Sequence, residues 1–395
     1  MSNTSVRTLD RGNAPERFAR GWHCVGLARD FADGKPHGLQ AFGGKIVIWA
    51  DKDGQFHALD SYCRHMGGDL SQGSVKDGNI ACPFHDWRWN GKGKCESIPY
   101  ARRVPLRART QTFPTTVVND QLFVWHDPEG NPPIAEQAIP EIEGLAEGEF
   151  SDWVWNSVLI EGSHCREIID NTVDMAHFFY IHGAYPTSFI TVTEGHVSAQ
   201  LMTSKSREDI FEPSKHVDPD KALLSSQASY YGPSYMIDML HNDMGNGAVI
   251  ESVLINCHYP VTSDSFLLQW GVAVRKQPGV DEVTSTKIAK AFSKNFGDGF
   301  LQDVEIWRNK VPVQNPLLCE EDGPVYQNRR WYEQFYVDVA DITPEMTERF
   351  EFEVDTEHAQ VQWRAEVADN IAKRDAERAA AESEQAAQTG EPVTV

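Results

Sequence analysis

The chain is poor in positive charge and in long apolar segments. Its 36 Lys and Arg stand against 58 Asp and Glu, which gives a formal net charge of −22 over 395 residues. This balance argues against nucleic acid or an anionic membrane surface as the main partner. No apolar run approaches the roughly 20 residues that span a bilayer, and the N-terminal residues lack the apolar core of a secretory signal. We therefore expect a cytoplasmic protein without a membrane anchor.

Cysteines and nucleotide-binding motifs are also scarce. Seven cysteines, an odd number scattered along the chain, make a poor disulfide framework. In a reducing compartment, cysteine beside histidine points first to a metal site. Gly91-Lys92-Gly93 is a lone G-x-G motif in a β-rich stretch and favours a hairpin over a nucleotide site. An enzyme of this sequence that consumes electrons would therefore need a separate reductase.

The patterns along the chain predict an α+β protein with two main domains. Strand-like segments dominate residues 21–126, and the Pro- and Gly-rich stretch 127–144 separates them from a mixed region. The expected limits are an arm at 1–17, an all-β domain at 18–130, an α+β domain with an antiparallel sheet flanked by helices at 131–365, and a helix end with a disordered tail at 366–395.

Three helical patterns are expected in the second domain. The first covers 165–179 and the second covers 286–310. Thr343 followed by Pro344 is typical of a helix start, and it predicts a third helix that runs beyond Trp363.

The first candidate site lies in the β domain. Cys63-Arg64-His65 is followed, after sixteen residues, by Cys82-Pro83-Phe84-His85. A Rieske [2Fe–2S] cluster needs two thiolates on one iron and two imidazoles on the other. Two loops that each supply one Cys and one His meet this requirement. The alternative is a structural zinc site, although zinc sites more often pair Cys with Cys and His with His.

The second candidate site contains Asp174, His177 and His182. Two His and one carboxylate on one face of a metal are typical of non-haem Fe(II) oxygenases. His177 and His182 are five residues apart, so both can reach one metal only if the helix ends or distorts near Tyr180. Gly183 makes a helix end plausible. Without the first site, two ordinary histidines on an amphipathic helix would be the simpler interpretation.

The third ligand of such an iron must come from another segment. The helical pattern near residue 300 offers Asp298, Asp303 and Glu305. Asp303 is the preferred ligand, because it lies among apolar residues as an inward-facing group would. Asp298 beside two glycines is more typical of a cap, and Glu305 of a solvated charge.

These motifs together resemble the ring-hydroxylating Rieske oxygenases. CRHMGGDL, CPFHDWRW and DNTVDMAHFFYIHG are most similar to the oxygenase subunits of 3-ketosteroid 9α-hydroxylases. The resemblance implies that Cys63, His65, Cys82 and His85 hold the cluster, and that His177, His182 and Asp303 hold a mononuclear Fe(II). It also implies a head-to-tail homotrimer, in which Asp174 bridges to His85 of the partner subunit. Asn171 matches a position near the iron and is not a ligand.

The implied activity is that of the terminal oxygenase of a multicomponent monooxygenase. It hydroxylates C9 of a 3-ketosteroid in steroid degradation, using O₂ and electrons from a flavin and [2Fe–2S] reductase. The alternatives are a Rieske oxygenase for another bulky ring, such as a sterol desaturase or an aromatic-ring hydroxylase, and a Rieske electron carrier without catalysis.

Two further hypotheses concern binding. The substrate pocket should be apolar with one or two polar anchors, and the candidates for it are Phe178, Tyr231, Met236, Asn256, Phe300 and Trp307. Residues 63–109 carry nine Lys or Arg against four Asp or Glu, within an acidic chain. Part of this basic patch could attract an acidic reductase domain. Equally, its charges could pair with a neighbouring subunit.

Overall fold

A computed structural model describes residues 8–12, 15–210, 218 and 221–389, with side chains described up to residue 383. No helix in this part of the chain is long and apolar enough to cross a membrane. The first eleven strands form the N-terminal β region, residues 21–126. They are β1 Gly21–Leu27, β2 His37–Ala41, β3 Gly44–Ala50, β4 Phe56–Asp60, β5 Ser74–Lys76, β6 Asn79–Ala81, β7 Arg88–Trp89, β8 Cys95–Ser97, β9 Thr112–Phe113, β10 Thr115–Val118 and β11 Gln121–His126.

These strands form three small antiparallel sheets. Their orders are β1-β11-β10, β2-β3-β4-β9 and β5-β6-β7-β8. The loops that carry the two C-x-H and C-x-x-H motifs follow β4 and β6. The predicted all-β character of this part of the chain is confirmed.

The C-terminal α+β region covers residues 154–389. Its elements are β12 Val154–Glu161, α1 Arg166–Asn171, α2 Met175–Tyr180, β13 Ala184–Glu194, β14 Val197–Ser206, β15 Leu223–Tyr231, β16 Tyr235–Asp243, β17 Val249–Thr262, β18 Ser265–Val274, α3 Glu282–Asn309, α4 Val325–Glu333, α5 Pro344–Thr347, β19 Phe350–Glu353 and α6 Glu357–Thr389. The strands form one antiparallel sheet in the order β12-β18-β17-β16-β15-β14-β13-β19.

The two faces of this large sheet contact different parts of the protein. Side chains alternate between faces along a strand, and β16 shows the division. Tyr235 and Ile237 pack with Phe123 of the N-terminal β region. Met236 packs on the other side with Val304 of α3. The N-terminal β region and α3 therefore cover opposite faces of the sheet.

The helix predicted at 165–179 is two short helices with a break at 172–174. The break has a tertiary cause. Gly323, just before α4, lies so close that a Cβ on it would be 1.8 Å from the carbonyl oxygen of Val173. Asn328 of α4 donates a hydrogen bond to the carbonyl of Ile169 at 3.1 Å. These contacts hold the backbone in a turn that local sequence alone does not specify.

The prediction of one helix from Thr343 to beyond Trp363 is wrong. The first helix there, α5, covers four residues, and β19 follows it before α6 begins. Phe350 and Phe352 alternate with glutamates, a strand-like pattern, and the segment pairs with β13 as the edge strand of the sheet. The helix α6 continues to Thr389, so the tail expected from 366 is helical over most of its length. Residues 390–395 lie outside the described residues.

Candidate metal centres

The four candidate cluster ligands come together at the tips of two adjacent loops. The first loop is closed by hydrogen bonds between Cys63 and residues 67–68, at 2.8 and 2.9 Å. The second is closed by bonds from Asp86 to Cys82 at 3.0 Å and from Cys82 to Trp87 at 2.9 Å. The imidazole rings of His65 and His85 are 4.7 Å apart, centroid to centroid. Each loop thus offers one thiol and one imidazole to a shared space.

The space between the loops fits an iron–sulfur cluster. Cys63 and Cys82 are buried, and burial raises the pKa of the Cys63 thiol to about 11, with the Cys82 sulfur beside it adding to the rise. Coordination to iron would hold both sulfurs as thiolates. A Cβ on Gly68 would lie 2.8 Å from the Cys82 sulfur, so only glycine leaves this volume open. Two thiols and two imidazoles are the donor set of a Rieske centre.

One imidazole of this centre is covered and the other has an unused nitrogen. The indole of Trp87 stacks on His65 at 4.5 Å with an interplanar angle of 9°. The buried Nδ1 of His85 has no hydrogen-bond partner among the described residues. A buried polar atom without a partner is costly, and coordination to the cluster iron would give this nitrogen the partner that it lacks.

The second site gathers His177, His182 and Asp303. One ligand atom from each lies within 4.8 Å of the others, and His182 Nε2 is 3.3 Å from Asp303 Oδ2. The helix α2 ends at Tyr180, and Gly183, with φ of +63°, turns the chain into β13. The helix end predicted from the five-residue spacing is therefore present. Two imidazoles and one carboxylate fit a ferrous ion.

The backbone before α2 orients the first imidazole. Asp174 is the N-cap of α2, and its carboxylate accepts the backbone N–H of His177 at 3.2 Å. The Nδ1 of His177 contacts the carbonyl oxygen of Asp174. Because a carbonyl only accepts, Nδ1 carries the hydrogen and Nε2 is left for the metal. Burial, followed by the nearby His182, lowers the pKa of His177 and favours the neutral imidazole that a metal requires.

The remaining acidic candidates do not approach the histidines. Asp298 forms an ion pair with Lys294 at 2.5 Å on the exposed side of α3. Glu305 accepts a hydrogen bond from Asn309 at 2.9 Å and is also exposed. Asn171 is the last residue of α1 and precedes the break. Asp303 is the acid of α3 that reaches the two histidines.

Four of the pocket candidates lie between the sheet and α3. Met236 and Trp307 belong to one buried cluster, Phe300 packs against it, and Asn256 is buried on the strand next to Met236. The amide oxygen of Asn256 has no hydrogen-bond partner among the described residues. Phe178 lies beside the iron ligands, with its ring 4.1 Å from that of His177.

Tyr231 was wrongly placed in the pocket. It packs with the cluster between the sheet and the N-terminal β region, whereas Tyr230 belongs to the cluster on the α3 side. A shift of one residue along a strand moves a side chain to the opposite face. The choice between two adjacent tyrosines needed the register of β15, which the sequence alone does not give.

Two residues near the site were not anticipated. Asp238 is buried on the same face as Met236, and Ser226 donates a hydrogen bond to its carboxyl at 2.8 Å. Burial raises the pKa of Asp238 to about 7. The alternation of β16 could have shown that Asp238 shares a face with Met236. Gly299 precedes Asp303 by one helical turn, and a Cβ on it would lie 3.3 Å from Nδ1 of His182; no sequence signal marks this contact.

The fold, the Cys₂His₂ loops and the His₂Asp triad define a Rieske non-haem iron oxygenase. Residues 21–114 match the Rieske [2Fe-2S] domain family, and residues 124–336 match the family described as 3-Ketosteroid 9alpha-hydroxylase C-terminal domain. The chain belongs to the family of 3-ketosteroid 9α-monooxygenase oxygenase components. The resemblance inferred from the motifs is confirmed, and the zinc and electron-carrier alternatives are set aside.

Relatives of this family match along almost the whole chain. The 3-ketosteroid-9-alpha-monooxygenase oxygenase component of Rhodococcus rhodochrous is 58% identical and covers 94% of this chain and 95% of its own length. The protein with the same description from Mycobacterium tuberculosis is 56% identical, covering 95% and 96%. The structure of dicamba monooxygenase bound to 3,6-dichlorosalicylic acid has a TM-score of 0.66 at 17% identity, covering 82% and 99%. At that identity the structural match supports only the fold.

Proposed function

We propose that this chain is the terminal oxygenase that hydroxylates C9 of 3-ketosteroids during steroid degradation. The observation that carries the proposal is the meeting of His177, His182 and Asp303 in a chain that is 58% identical to an enzyme of that description. Overall, one O₂, two electrons and two protons convert the C9–H bond to C9–OH and release one water. A separate flavin and [2Fe–2S] reductase supplies the electrons.

The residues that hold the two metal groups have distinct tasks. Cys63, Cys82 and the two histidines His65 and His85 would hold the cluster, and the His₂Asp triad would hold the ferrous ion. When bound, the cluster carries single electrons and the ferrous ion provides the position at which O₂ reacts. The carbonyl of Asp174 keeps the His177 imidazole in the tautomer that binds metal. The ring of Phe178, 4.1 Å from His177, limits the access of water to this side of the site.

The space beneath α3 suits a rigid, apolar ring system. Met236, Phe300 and Trp307 supply apolar walls, as a steroid nucleus requires. Asn256 and Asp238 are buried polar groups on the same side of the sheet. A keto oxygen that accepts a hydrogen bond from the amide nitrogen of Asn256 or from a protonated Asp238 carboxyl would fix the direction in which the steroid lies.

The proposed working form is a head-to-tail homotrimer. In one chain, the large sheet separates the N-terminal β region from the triad, because the two pack on opposite faces. Beside the cluster site, Met66 and Phe84 are 66% and 59% exposed. Contact with a second chain would cover these apolar groups and bring Asp174 to His85 of the partner subunit.

A cytoplasmic location is part of the same proposal. All seven cysteines lie in the described part of the chain, and none forms a disulfide. Free thiols persist in a reducing compartment, where disulfides are rare.

The test is turnover of a panel of ring substrates by the holoenzyme with a matched reductase. The panel contains 3-ketosteroids with and without the 1-ene, their coenzyme A thioesters, sterols and simple arenes. The expected product carries a hydroxyl at C9, located by mass spectrometry and NMR. Oxidation of arenes or sterols without turnover of any 3-ketosteroid would overturn the proposal in favour of one of the alternatives.

A further inference from the structure

The covered imidazole of the cluster site connects to the protein surface. Trp87, which stacks on His65, donates its indole N–H to the hydroxyl of Tyr100 at 2.8 Å. The side chain of Tyr100 is 64% exposed. Two aromatic rings thus form a continuous chain of contacts from a cluster ligand to solvent.

Tyr100 lies in a loop that carries four exposed arginines. The Arg loop, residues 98–111 between β8 and β9, contains Arg102, Arg103, Arg107 and Arg109. Among the described residues, no carboxylate forms an ion pair with any of these four arginines. The exposed Leu106 lies among them. An apolar centre surrounded by cations is the composition expected of a surface that receives an acidic partner.

The Arg loop is held in place by backbone contacts. Cys95 donates to the carbonyl of Ala108 at 3.0 Å, and Ala101 donates to that of Ile98 at 3.0 Å. Ile98 and Ala108 are buried, so they anchor the loop on the core beneath the cluster site. The cations are therefore presented on a prebuilt surface, which lowers the entropic cost of binding.

Other cations of the predicted basic patch are already neutralised. Asp86 pairs with Lys76 at 2.9 Å and with Arg88 at 3.0 Å, and Lys94 lies 4.0 Å from Glu96. Arg88, one of the nine cations of residues 63–109, thus has its charge partner within the chain. Six of the nine cations of residues 63–109 have no ion pair among the described residues, and four of these six lie in the Arg loop; the other two are Arg64 and Lys92.

We propose that the Arg loop is the docking surface for an acidic iron–sulfur domain of the reductase, and that Tyr100 and Trp87 couple that domain to His65. The inference rests on the proposed function, which requires a reductase. In each transfer, the reduced [2Fe–2S] group of the reductase loses one electron and the cluster of this chain gains it. Neither ring is oxidised or reduced. The rings replace a solvent gap with stacked and hydrogen-bonded contacts, and electron transfer slows steeply as such a gap widens.

The two cluster imidazoles are proposed to serve different steps of electron transfer. His65 is covered by Trp87 on the side of the Arg loop, whereas His85 is the imidazole proposed to meet Asp174 of the partner subunit. Electrons would arrive on the His65 side and leave on the His85 side. A second copy of this chain is the competing occupant of the Arg loop, because the chain is itself acidic, and the test must separate the two.

The experiment follows reduction of the cluster in the holoenzyme by stopped-flow absorbance, without steroid and without O₂, at increasing concentrations of reduced reductase. The first variant is the double reversal R102E/R103E. Its control is Lys52→Glu, a largely exposed cation in the β3–β4 turn, 3.9 Å from the exposed Asp53. The second variant is Tyr100→Ala, with Tyr100→Phe as the variant that keeps the ring and removes the hydroxyl.

The double reversal should lower the second-order reduction rate about tenfold or more at low ionic strength and weaken its salt dependence. Lys52→Glu should leave both unchanged. Tyr100→Ala should lower the limiting rate at saturating reductase, and Tyr100→Phe should lower it less. Reduction by dithionite, the midpoint potential and the sedimentation coefficient should stay at the values of the parent enzyme.

Three results overturn all or part of the inference. Unchanged reduction by the reductase in R102E/R103E excludes docking on the Arg loop, and a change in sedimentation assigns this surface to a second copy of the chain. A shifted midpoint potential in Tyr100→Ala assigns its effect to the cluster and removes the coupling role of the ring. Because no steroid is present, these outcomes are independent of the substrate panel, whose failure would concern the proposed function alone.

Discussion

Asp174 holds His177 by two separate bonds: its carboxylate accepts the backbone N–H of His177 at 3.2 Å, and its carbonyl accepts the imidazole Nδ1–H. The first bond caps α2 and the second fixes the ring. The same carboxylate is the group proposed to reach His85 of the partner subunit. Asp174 therefore caps α2, orients an iron ligand and is proposed to link the two metal groups. Substitutions of Asp174 can separate these three roles.

The variants Asp174→Asn and Asp174→Ala should differ in their free energy of unfolding but show a similar loss of turnover. Asparagine is as good an N-cap as aspartate, whereas alanine costs about 1 kcal/mol. The backbone carbonyl is present in both, so both should keep most of their iron. Both lack the charge proposed to link the two metal groups. We expect turnover to fall about 100-fold or more in each, while urea unfolding detects a loss only in Asp174→Ala. Full turnover in Asp174→Asn would contradict the bridging role.

Asp303→Asn should remove the mononuclear iron and leave the cluster. Loss of the carboxylate takes one of three ligands and the charge that balances the ferrous ion. Iron content should fall from about three atoms per chain to about two, with the cluster absorbance unchanged and product formation abolished. Glu305→Gln on the same helix is the control and should keep all of its iron. Equal iron loss in both variants would show a general effect of α3.

Trp363→Ala should destabilise the protein through the packing of α2. The indole of Trp363 stacks on the buried ring of Phe179 at 4.7 Å, with an angle of 10°. Truncation of a buried Trp costs about 3–5 kcal/mol. We also expect lower iron occupancy, because Phe179 belongs to the helix that carries His177. Val361→Ala, an exposed position on α6, should change the free energy of unfolding by less than about 0.5 kcal/mol.

Buried histidines predict a loss of stability in mild acid. His23, His126 and His258 lie where the N-terminal β region meets the large sheet, and burial lowers their pKa values to about 3, 4 and 3. The unfolded chain binds these protons near pH 6.5, whereas the folded chain does not. The stability they contribute is complete above pH 6.5 and is lost as the pH falls toward 3–4. Each group adds a slope of about 1.4 kcal/mol per pH unit.

The variant His258→Gln should flatten this pH dependence by about one proton. Urea unfolding between pH 7.5 and 5 measures the slope, and the difference from the parent protein should vanish above pH 7 apart from a constant packing term. His358→Gln, an exposed position, is the matched control and should leave the slope unchanged. A parallel shift of the whole curve in His258→Gln would indicate a packing effect alone.

The cluster site could be predicted from sequence because each loop is local. Cys63 and His65, like Cys82 and His85, are neighbours in the chain, so spacing alone implies the geometry. The choice of Asp303 needed only the apolar surroundings of a helix. By contrast, Tyr231 was assigned to the wrong face, because the two sides of β15 differ only in what packs on them.

The missed elements all depend on contacts between distant segments. The break between α1 and α2 follows from the approach of Gly323 to Val173, and β19 forms because the edge of β13 is available to it. Gly323 is far in sequence from the break between α1 and α2, and β13 is far in sequence from β19. The motif Thr343-Pro344 does start a helix, but the next residues gain more from pairing with the sheet.

The large sheet acts as an internal barrier, and this has a consequence for dilute enzyme. In the proposed homotrimer, a chain that separates from its neighbours would still accept an electron at the proposed docking surface, but the triad of the same chain lies across the sheet. The electrons would then reduce dissolved O₂ without forming product. As the protein is diluted below the concentration at which the proposed oligomer would dissociate, consumption of reductant should continue while the yield of hydroxylated steroid per electron declines.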